Sequence, residues 1–543
     1  MTPKINFRIL DFFFLASDNL KLENKRGTMI TLGDLLERNV RKQPHKRAIT
    51  CAEEGVTLSY LELEQRVNSL VAAMIAMGMK RGDRVAMLSH NCHRYAELFM
   101  ALTKGGWVLV PLDHRLTVRE ILYLIENAGP RLIVAHPEYQ EMVKELQKSR
   151  GGVETVLWLE QGPAGGVNYE DLIEKYLGER AEPTVEENDL LTLYYTSGTT
   201  GRPKGVQYTH RNLFFAMINM VIDFKISEDD ITLNTSPFSH IAPIWPMLAH
   251  FYVGGSNVVI RRFDPGLVLR TIEREKITTW NSVPVMILRL LEHPDIGLYD
   301  LSSLRCLSYG AAPMPLEILK KAIHFFGPVL YQVYGLTETY LLTTLSNKDH
   351  MVDESDPRSR RLASCGRELI NTRVRLVNAD GGEIRPGEIG EIIAQGESVT
   401  SGYWKMPEET QRAVRNGWFY TGDLATVDED GYIYIRDRKK DVIITGGENV
   451  SPREIEEVLY SHPNVLECAV IGTPDEKWGE AVKAFVVLKG AKEISPAELI
   501  EFCRQRLAGF KTPKSIEFLS FLPRTASGKI LKRELREKKW KGG

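Results

Sequence analysis

The sequence has no Cys-x-x-Cys pair, no histidine cluster at metal-ligand spacing, no acidic block and no apolar run long enough for a bilayer. Its six cysteines, at positions 51, 92, 306, 365, 468 and 503, are scattered. This excludes a zinc ribbon and a disulfide framework, and fits reduced thiols in a cytoplasmic protein. A net charge of −2 over 543 residues supplies no field for nucleic acid. The apolar stretch at 9–16 is short, contains Asp11 and lacks a signal-peptide layout. Met29 reads as a second start, which makes 1–28 an N-terminal extension or docking arm. Peripheral membrane contact through 9–16 and the basic tail is left open. Hydrophobic residues at 43% and charged residues at 26% describe an ordinary globular chain, and its length requires two or more domains.

What is present is a glycine- and hydroxyl-rich loop, Tyr195-Thr196-Ser197-Gly198-Thr199-Thr200-Gly201-Arg202-Pro203-Lys204-Gly205, after the apolar run 190–195. Glycines let a backbone approach a ligand, and successive N–H groups with hydroxyls among them surround phosphate oxygens. Lys204 is followed by glycine, so this is not a Walker A loop. No G-x-G-x-x-G turn opens a helix here, so a Rossmann site is unsupported.

The first half alternates helix and strand. Capping boxes at Ser59/Glu62 and Thr117/Glu120 start helices, and apolar runs at 84–88, 107–111 and 132–135 read as buried strands. That alternation predicts parallel sheet covered by helices. From about 365 the pattern becomes antiparallel β, with turns at Asp380-Gly381-Gly382 and Asp428-Glu429-Asp430-Gly431. A charged knot, Arg436 to Asp441, marks the expected domain boundary. The residues beyond it suffice for one small α+β domain.

Further along come Ser236-Pro237-Phe238-Ser239-His240, Tyr309-Gly310-Ala311-Ala312-Pro313, Tyr334-Gly335-Leu336-Thr337-Glu338, Tyr420-Thr421-Gly422-Asp423, Gly446-Gly447-Glu448 and Ser527-Gly528-Lys529. With the loop, this ordered set resembles the adenylate-forming superfamily, in particular its acyl-CoA synthetase branch, over roughly residues 30 to 535. The resemblance implies an α/β + β fold. A large N-terminal domain of helix-covered sheets (29–436) carries a small β-barrel-like subdomain (365–436). A hinge (437–441) leads to a small mobile α+β lid domain (442–543).

It also implies an ATP-dependent, Mg²⁺-assisted ligation of a carboxylic acid to coenzyme A through an acyl-AMP. Thr196, Ser197, Gly198, Thr199, Thr200 and Lys204 would contact the phosphates of ATP. Thr337 would bind the α-phosphate and Glu338 the metal, as a hard cation prefers oxygen. Gly310, Ala311, Ala312, Tyr334 and Gly335 would line the adenine and acyl groups, and Asp423 and Arg438 would hold the ribose. Lys529 would bridge carboxylate and α-phosphate as a point charge. Lys440 would be the hinge. Gly446, Gly447, Glu448 and Lys477 would meet coenzyme A. His240, Trp245 and Val333 would stand beside the acyl group, with His240 counted among the catalytic residues.

The residues leave alternatives at several of these positions. Glu338 alone reads as an exposed turn carboxylate, Lys440 as a solvated charge, and His240 as a structural histidine. Lys529 opens a basic tail to Lys541 with seven Lys or Arg and two Glu. Ser236 to Pro243 offers no aspartate for an amino group, which disfavours an amino-acid substrate. The apolar acyl-side candidates favour a fatty, alicyclic or aromatic acid. An acyl-adenylate ligase serving an acyl carrier protein, and a catalytically silent acyl-nucleotide sensor or scaffold, are the remaining alternatives. A homodimer is compatible with the sequence, and no residue pattern supplies a general base for the thiol.

Overall fold

A computed structural model describes residues 31–148, 155–163, 166–181, 183–196, 202–353, 355–490, 494–524 and 530–540. The extension 1–28, the loop residues Ser197, Gly198, Thr199 and Thr200, and Lys529 lie outside the described residues.

Two large sheets form the first four hundred residues. One has seven strands, ordered Val167–Asn168, Thr155–Trp158, Leu132–Ala135, Arg84–Leu88, Val108–Leu112, Leu190–Thr196 and Lys204–Thr209. Its neighbours are parallel except the final hairpin. The inner strands are continuous apolar runs because helices cover both faces. The helices start where the sequence places them: Ser59 and Thr117 both close capping boxes.

The second sheet has nine strands. Its inner part, Leu330–Leu336, Cys306–Tyr309, Thr279–Ser282, Ile231–Asn234, Ser256–Val259 and Arg47–Cys51, is parallel throughout. Antiparallel strands finish both margins. One of these, Arg367–Glu368, pairs with Tyr340–Leu345, so the first strand after 365 joins the large sheet. The separate antiparallel sheet begins at Thr372–Val377 and continues through Gly390–Gly396, Trp418–Val427 and Ile433–Arg438. Arg436, Asp437 and Arg438 are therefore strand residues, held by the ladder that sets Arg438 opposite Asp423.

The C-terminal sheet is built on the long hairpin Val465–Asp475 and Gly479–Leu488. It adds Ile443–Thr445, Glu448–Val450 and the parallel strand Ser515–Phe518. Helices Pro452–Tyr460 and Pro496–Arg504 bury Ile455, Leu459, Leu499 and Cys503 in its core. No helix among the described residues is long and apolar enough to cross a membrane.

Asp230 holds the lower ends of three parallel strands together. Its carboxylate accepts from Arg305 Nε at 2.7 Å, Thr278 Oγ1 at 2.7 Å and the Ser227 amide at 2.8 Å, and it is 3% exposed. Burial alone would raise its pKa, but these donors and the guanidinium charge hold it down at about 2, against an ordinary 3.8. A carboxylate depressed in this way stabilises the fold above pH 4 and loses that contribution as the pH falls towards 2. Asp230→Asn is expected to cost about 2 kcal/mol at pH 7. Urea unfolding at stepped pH should show the gap to wild type narrowing as the pH falls from 5 to 3. A gap that stays constant over that range contradicts the assignment.

Candidate nucleotide and acid-activation site

The carboxyl ends of the parallel strands in the nine-stranded sheet supply one rim of the site. Ser236, Gly310 and the end of Leu330–Leu336 lie at the carboxyl ends of three parallel strands of that sheet, where α/β sheets bind ligands. Gly310 is required by close approach: a Cβ there would lie 2.4 Å from the Val333 carbonyl oxygen and 2.6 Å from Val333 Cγ2. Gly335 is tighter still, since a Cβ would fall 1.6 Å from the Tyr340 carbonyl oxygen. Ala311 follows with φ of +64°, a left-handed conformation costly for a residue with a Cβ.

The phosphate-loop hairpin faces this rim. Thr196 and Lys204 are direct partners across its two strands. The segment 400–404 fastens the hairpin to the Thr337–Glu338 turn. The Trp404 amide donates to the Gly205 carbonyl at 2.8 Å, and the Thr400 amide to the Glu338 carbonyl at 2.9 Å. The Tyr208 hydroxyl donates to the Thr337 carbonyl at 2.6 Å, and the Tyr403 hydroxyl to Glu338 Oε1 at 3.0 Å. Lys204 Nζ lies 4.9 Å from the centre of the Tyr403 ring and is paired with the carboxylate of Glu409. Tyr403 and Glu409 are site residues that the motif reading missed. A Tyr or Glu in a short helix has no spacing signature; only the pairing across 205 residues reveals Glu409.

A third group sits on the antiparallel sheet. Asp423, 3% exposed, accepts from Tyr334 Oη at 2.8 Å on one oxygen and is ion-paired with Arg438, whose Nε lies 2.9 Å from the other. Burial opposes the Arg438 charge, yet Asp423 and neighbouring acidic groups raise its pKa and keep it cationic. The carboxylate thus has a hydroxyl donor on one oxygen and a guanidinium beside the other, with lone pairs left for a diol.

His240 caps the helix Ile241–Val253. Its Nε2 lies 3.5 Å from Asp113 Oδ2 and 3.4 Å from Arg115 Nη2. Burial pushes the imidazole down to about 4, with Asp113 opposing and Arg115 assisting. The ring is neutral at pH 7 and a weak base. Asp113 and Arg115 are further neighbours that the sequence did not mark. Trp245 has no exposed surface and packs against Tyr208 and Tyr340, while Val333 is 5% exposed beside Gly310. Of the two, Val333 borders the site and Trp245 supports the wall behind it.

Gly446 and Gly447 form the turn between Ile443–Thr445 and Glu448–Val450. The Gly446 amide donates to the Trp478 carbonyl at 2.8 Å, and Lys477 Nζ lies 4.8 Å from the Trp478 ring centre. These four residues therefore share one corner of the C-terminal sheet. Lys440 is exposed on the turn after Ile433–Arg438. Packed surroundings and the Arg438 charge lower its ammonium pKa. The turn is anchored on both sides: Ser451 Oγ donates to Asp437 at 2.8 Å, and Arg536 to Asp441 at 2.9 Å.

Comparison with known proteins accords with this geometry. The AMP-binding enzyme family matches residues 36–404, and the AMP-binding enzyme C-terminal domain matches 454–529. A feruloyl-CoA synthase of Amycolatopsis is 39% identical over 508 residues, covering 93% of this chain and 99% of that protein. ATP-bound MatB of Rhodopseudomonas palustris is 32% identical with a TM-score of 0.83, over 93% of this chain and 98% of that one. The o-succinylbenzoate CoA synthetase of Bacillus subtilis, bound to its acyl-adenylate, is 30% identical with a TM-score of 0.81, over 92% and 97%. The chain belongs to the AMP-binding, adenylate-forming enzyme family.

Gly310→Ala is expected to push the Val333 strand end out of place. The variant should stay folded by circular dichroism and lose most of the rise in melting temperature that ATP gives the wild type. An undiminished ATP-dependent shift would show that the close approach is not needed for binding.

Proposed function

We propose that this protein is an acid–CoA ligase whose acid is bulky and largely apolar, with an arylpropenoic acid the first choice. In the first half-reaction a carboxylate oxygen attacks the α-phosphorus of ATP, giving acyl-AMP and releasing pyrophosphate. In the second, the thiol of coenzyme A loses its proton and attacks the acyl carbon, and AMP leaves. The observation that carries this reading is the fastening of the Lys204 hairpin to the Thr337–Glu338 turn through segment 400–404.

Negative charge builds up on the phosphates during adenylation, and fixed donors and cations stabilise it. In this reading Thr196, Lys204 and Thr337 meet the phosphates, and Asp423 with Arg438 receives the ribose. Glu338 fits a hard divalent cation: it is a carboxylate at the phosphate rim whose position is fixed by Tyr403. Magnesium bound there would neutralise phosphate charge. Lys529 supplies the cation between carboxylate and α-phosphate, and the neutral His240 borders the acyl group. The turn Gly446–Glu448 and Lys477 receive coenzyme A.

The domain division we propose is 29–436, a hinge at 437–441 centred on Lys440, and a lid at 442–543. Lid rotation would exchange Lys529 for the Gly446–Glu448 turn between half-reactions. The free state of all six cysteines supports a reducing, cytoplasmic setting.

Two variants separate the half-reactions. Lys529→Ala should lose adenylation by about 10²-fold or more, while coenzyme A still captures preformed acyl-AMP. Lys440→Pro should slow the thioester step more than adenylation. Equal damage to both steps by either variant refutes the division. For the acid, pyrophosphate release should be measured across hydroxycinnamic, benzoic, medium-chain and long-chain fatty acids and acetate, each with coenzyme A or an acyl carrier protein as acceptor. The expected optimum is an aryl acid with coenzyme A. Highest kcat/KM for acetate, or transfer to the carrier protein alone, overturns the assignment.

A further inference from the structure

Away from the nucleotide site, a buried cysteine, a buried histidine and a glutamate meet where the two large sheets adjoin. Cys51 ends the strand Arg47–Cys51 of the nine-stranded sheet, and Glu54 lies in the turn after it. His93 opens the helix His93–Gly105, which leads into Val108–Leu112 of the seven-stranded sheet. Their ligand-type atoms all lie within 4.8 Å of one another. His93 Nδ1 is 3.5 Å from Glu54 Oε2. Bonds of about 2.0–2.3 Å to zinc give tetrahedron edges of about 3.3–3.8 Å, so small side-chain movements suffice.

Three observations point to a ligand here. His93 is 3% exposed, and its Nδ1 makes no hydrogen bond. Its other ring nitrogen, Nε2, lies 3.8 Å from the wholly buried carboxylate of Glu97, which is held by Arg66 and Tyr169. Cys51 Sγ accepts the His93 amide at 3.0 Å; burial holds the free thiol well above its ordinary range, so its proton leaves only when a cation takes its place. A cavity of about 200 Å³ bordered by Cys51, Glu54, Asn91 and Arg261 reaches two of the three groups and gives an entry path.

A second trio, His90, His136 and Glu138, is equally close. Glu138 is already engaged by Arg261 and Arg262, so two guanidinium groups occupy the place of a cation. The nearest cation to Glu54 is Arg94 at 3.7 Å, beyond hydrogen-bond length, and the Arg261 charge reaches it from farther away.

We propose that Cys51 Sγ, His93 Nδ1 and Glu54 Oε2 hold one zinc-class divalent cation, with its fourth position open to the cavity. Thiolate and imidazole together select zinc-like ions over magnesium. Binding replaces the Cys51 thiol proton, which leaves to water. The ion would tie an inner strand of one sheet to a helix of the other, and it shares no residue with the nucleotide site.

The test uses full-length, tag-free protein stripped with a chelator and titrated with Co²⁺. Wild type should show a thiolate-to-cobalt charge-transfer band saturating at one equivalent, which added Zn²⁺ abolishes. Cys51→Ser should lose the band and keep ATP–pyrophosphate exchange. His93→Gln and Glu54→Gln should each weaken cobalt binding at least tenfold, and Glu138→Gln should leave it unchanged. No band in wild type at tenfold excess cobalt overturns the proposal, as does a band that persists in Cys51→Ser. If Cys51→Ser does not fold, His93→Gln decides: unchanged cobalt affinity overturns the site.

Discussion

Tyr403 and the backbone around it join two parts of the molecule that the chain places far apart. The hairpin carrying Lys204 and the turn carrying Glu338 belong to different sheets, and each alone is a surface loop. The amides of Thr400 and Trp404 pair with one carbonyl on each side, and the Tyr403 hydroxyl reaches Glu338 while its ring lies under Lys204. A cation and a carboxylate are thereby held at fixed separation before any ligand arrives. Preorganisation of this kind is what phosphoryl chemistry asks of a protein, since the reacting groups need placement and charge more than proton transfer.

The same logic runs through the ribose side. Asp423 has its two oxygens aimed by Tyr334 from the nine-stranded sheet and by Arg438 from the antiparallel sheet. The site is therefore assembled from three sheets, and each contributes a short turn whose backbone is tightly constrained. Gly310 and Gly335 belong to this constraint, because neighbouring carbonyl groups occupy the space a side chain would need. At the opposite edge of the parallel strands, the Asp230–Arg305 pair ties the sheet without touching the chemistry. Stability and activity thus draw on different ends of the same strands.

Much of this was legible in the sequence, because the polar groups with chemical roles sit in short contiguous motifs. Period and capping residues placed the helices at Tyr60 and Val118 and the buried strands at Arg84 and Leu132. Residues that act through distant partners left no local trace. Glu409 is a polar residue in a short helix until the fold sets it against Lys204, and Asp113 and Arg115 look like loop polarity until they flank His240. The charged run Arg436 to Asp441 marked a boundary in the sequence, and its first three residues continue the strand Ile433–Arg438, with Arg438 set opposite Asp423. Trp245, a pocket candidate whose alternative reading was core packing, is buried against Tyr208 and Tyr340.

The pairing of Lys204 with Glu409 has a bearing on the resting protein. An ammonium already satisfied by a carboxylate presents little attraction to chloride, sulfate or stray orthophosphate. Only a guest carrying several negative charges, and able to recruit the neighbouring hydroxyls as well, can take the lysine away. In the proposed function, a polyanionic guest therefore has to displace Glu409 before it reaches the lysine.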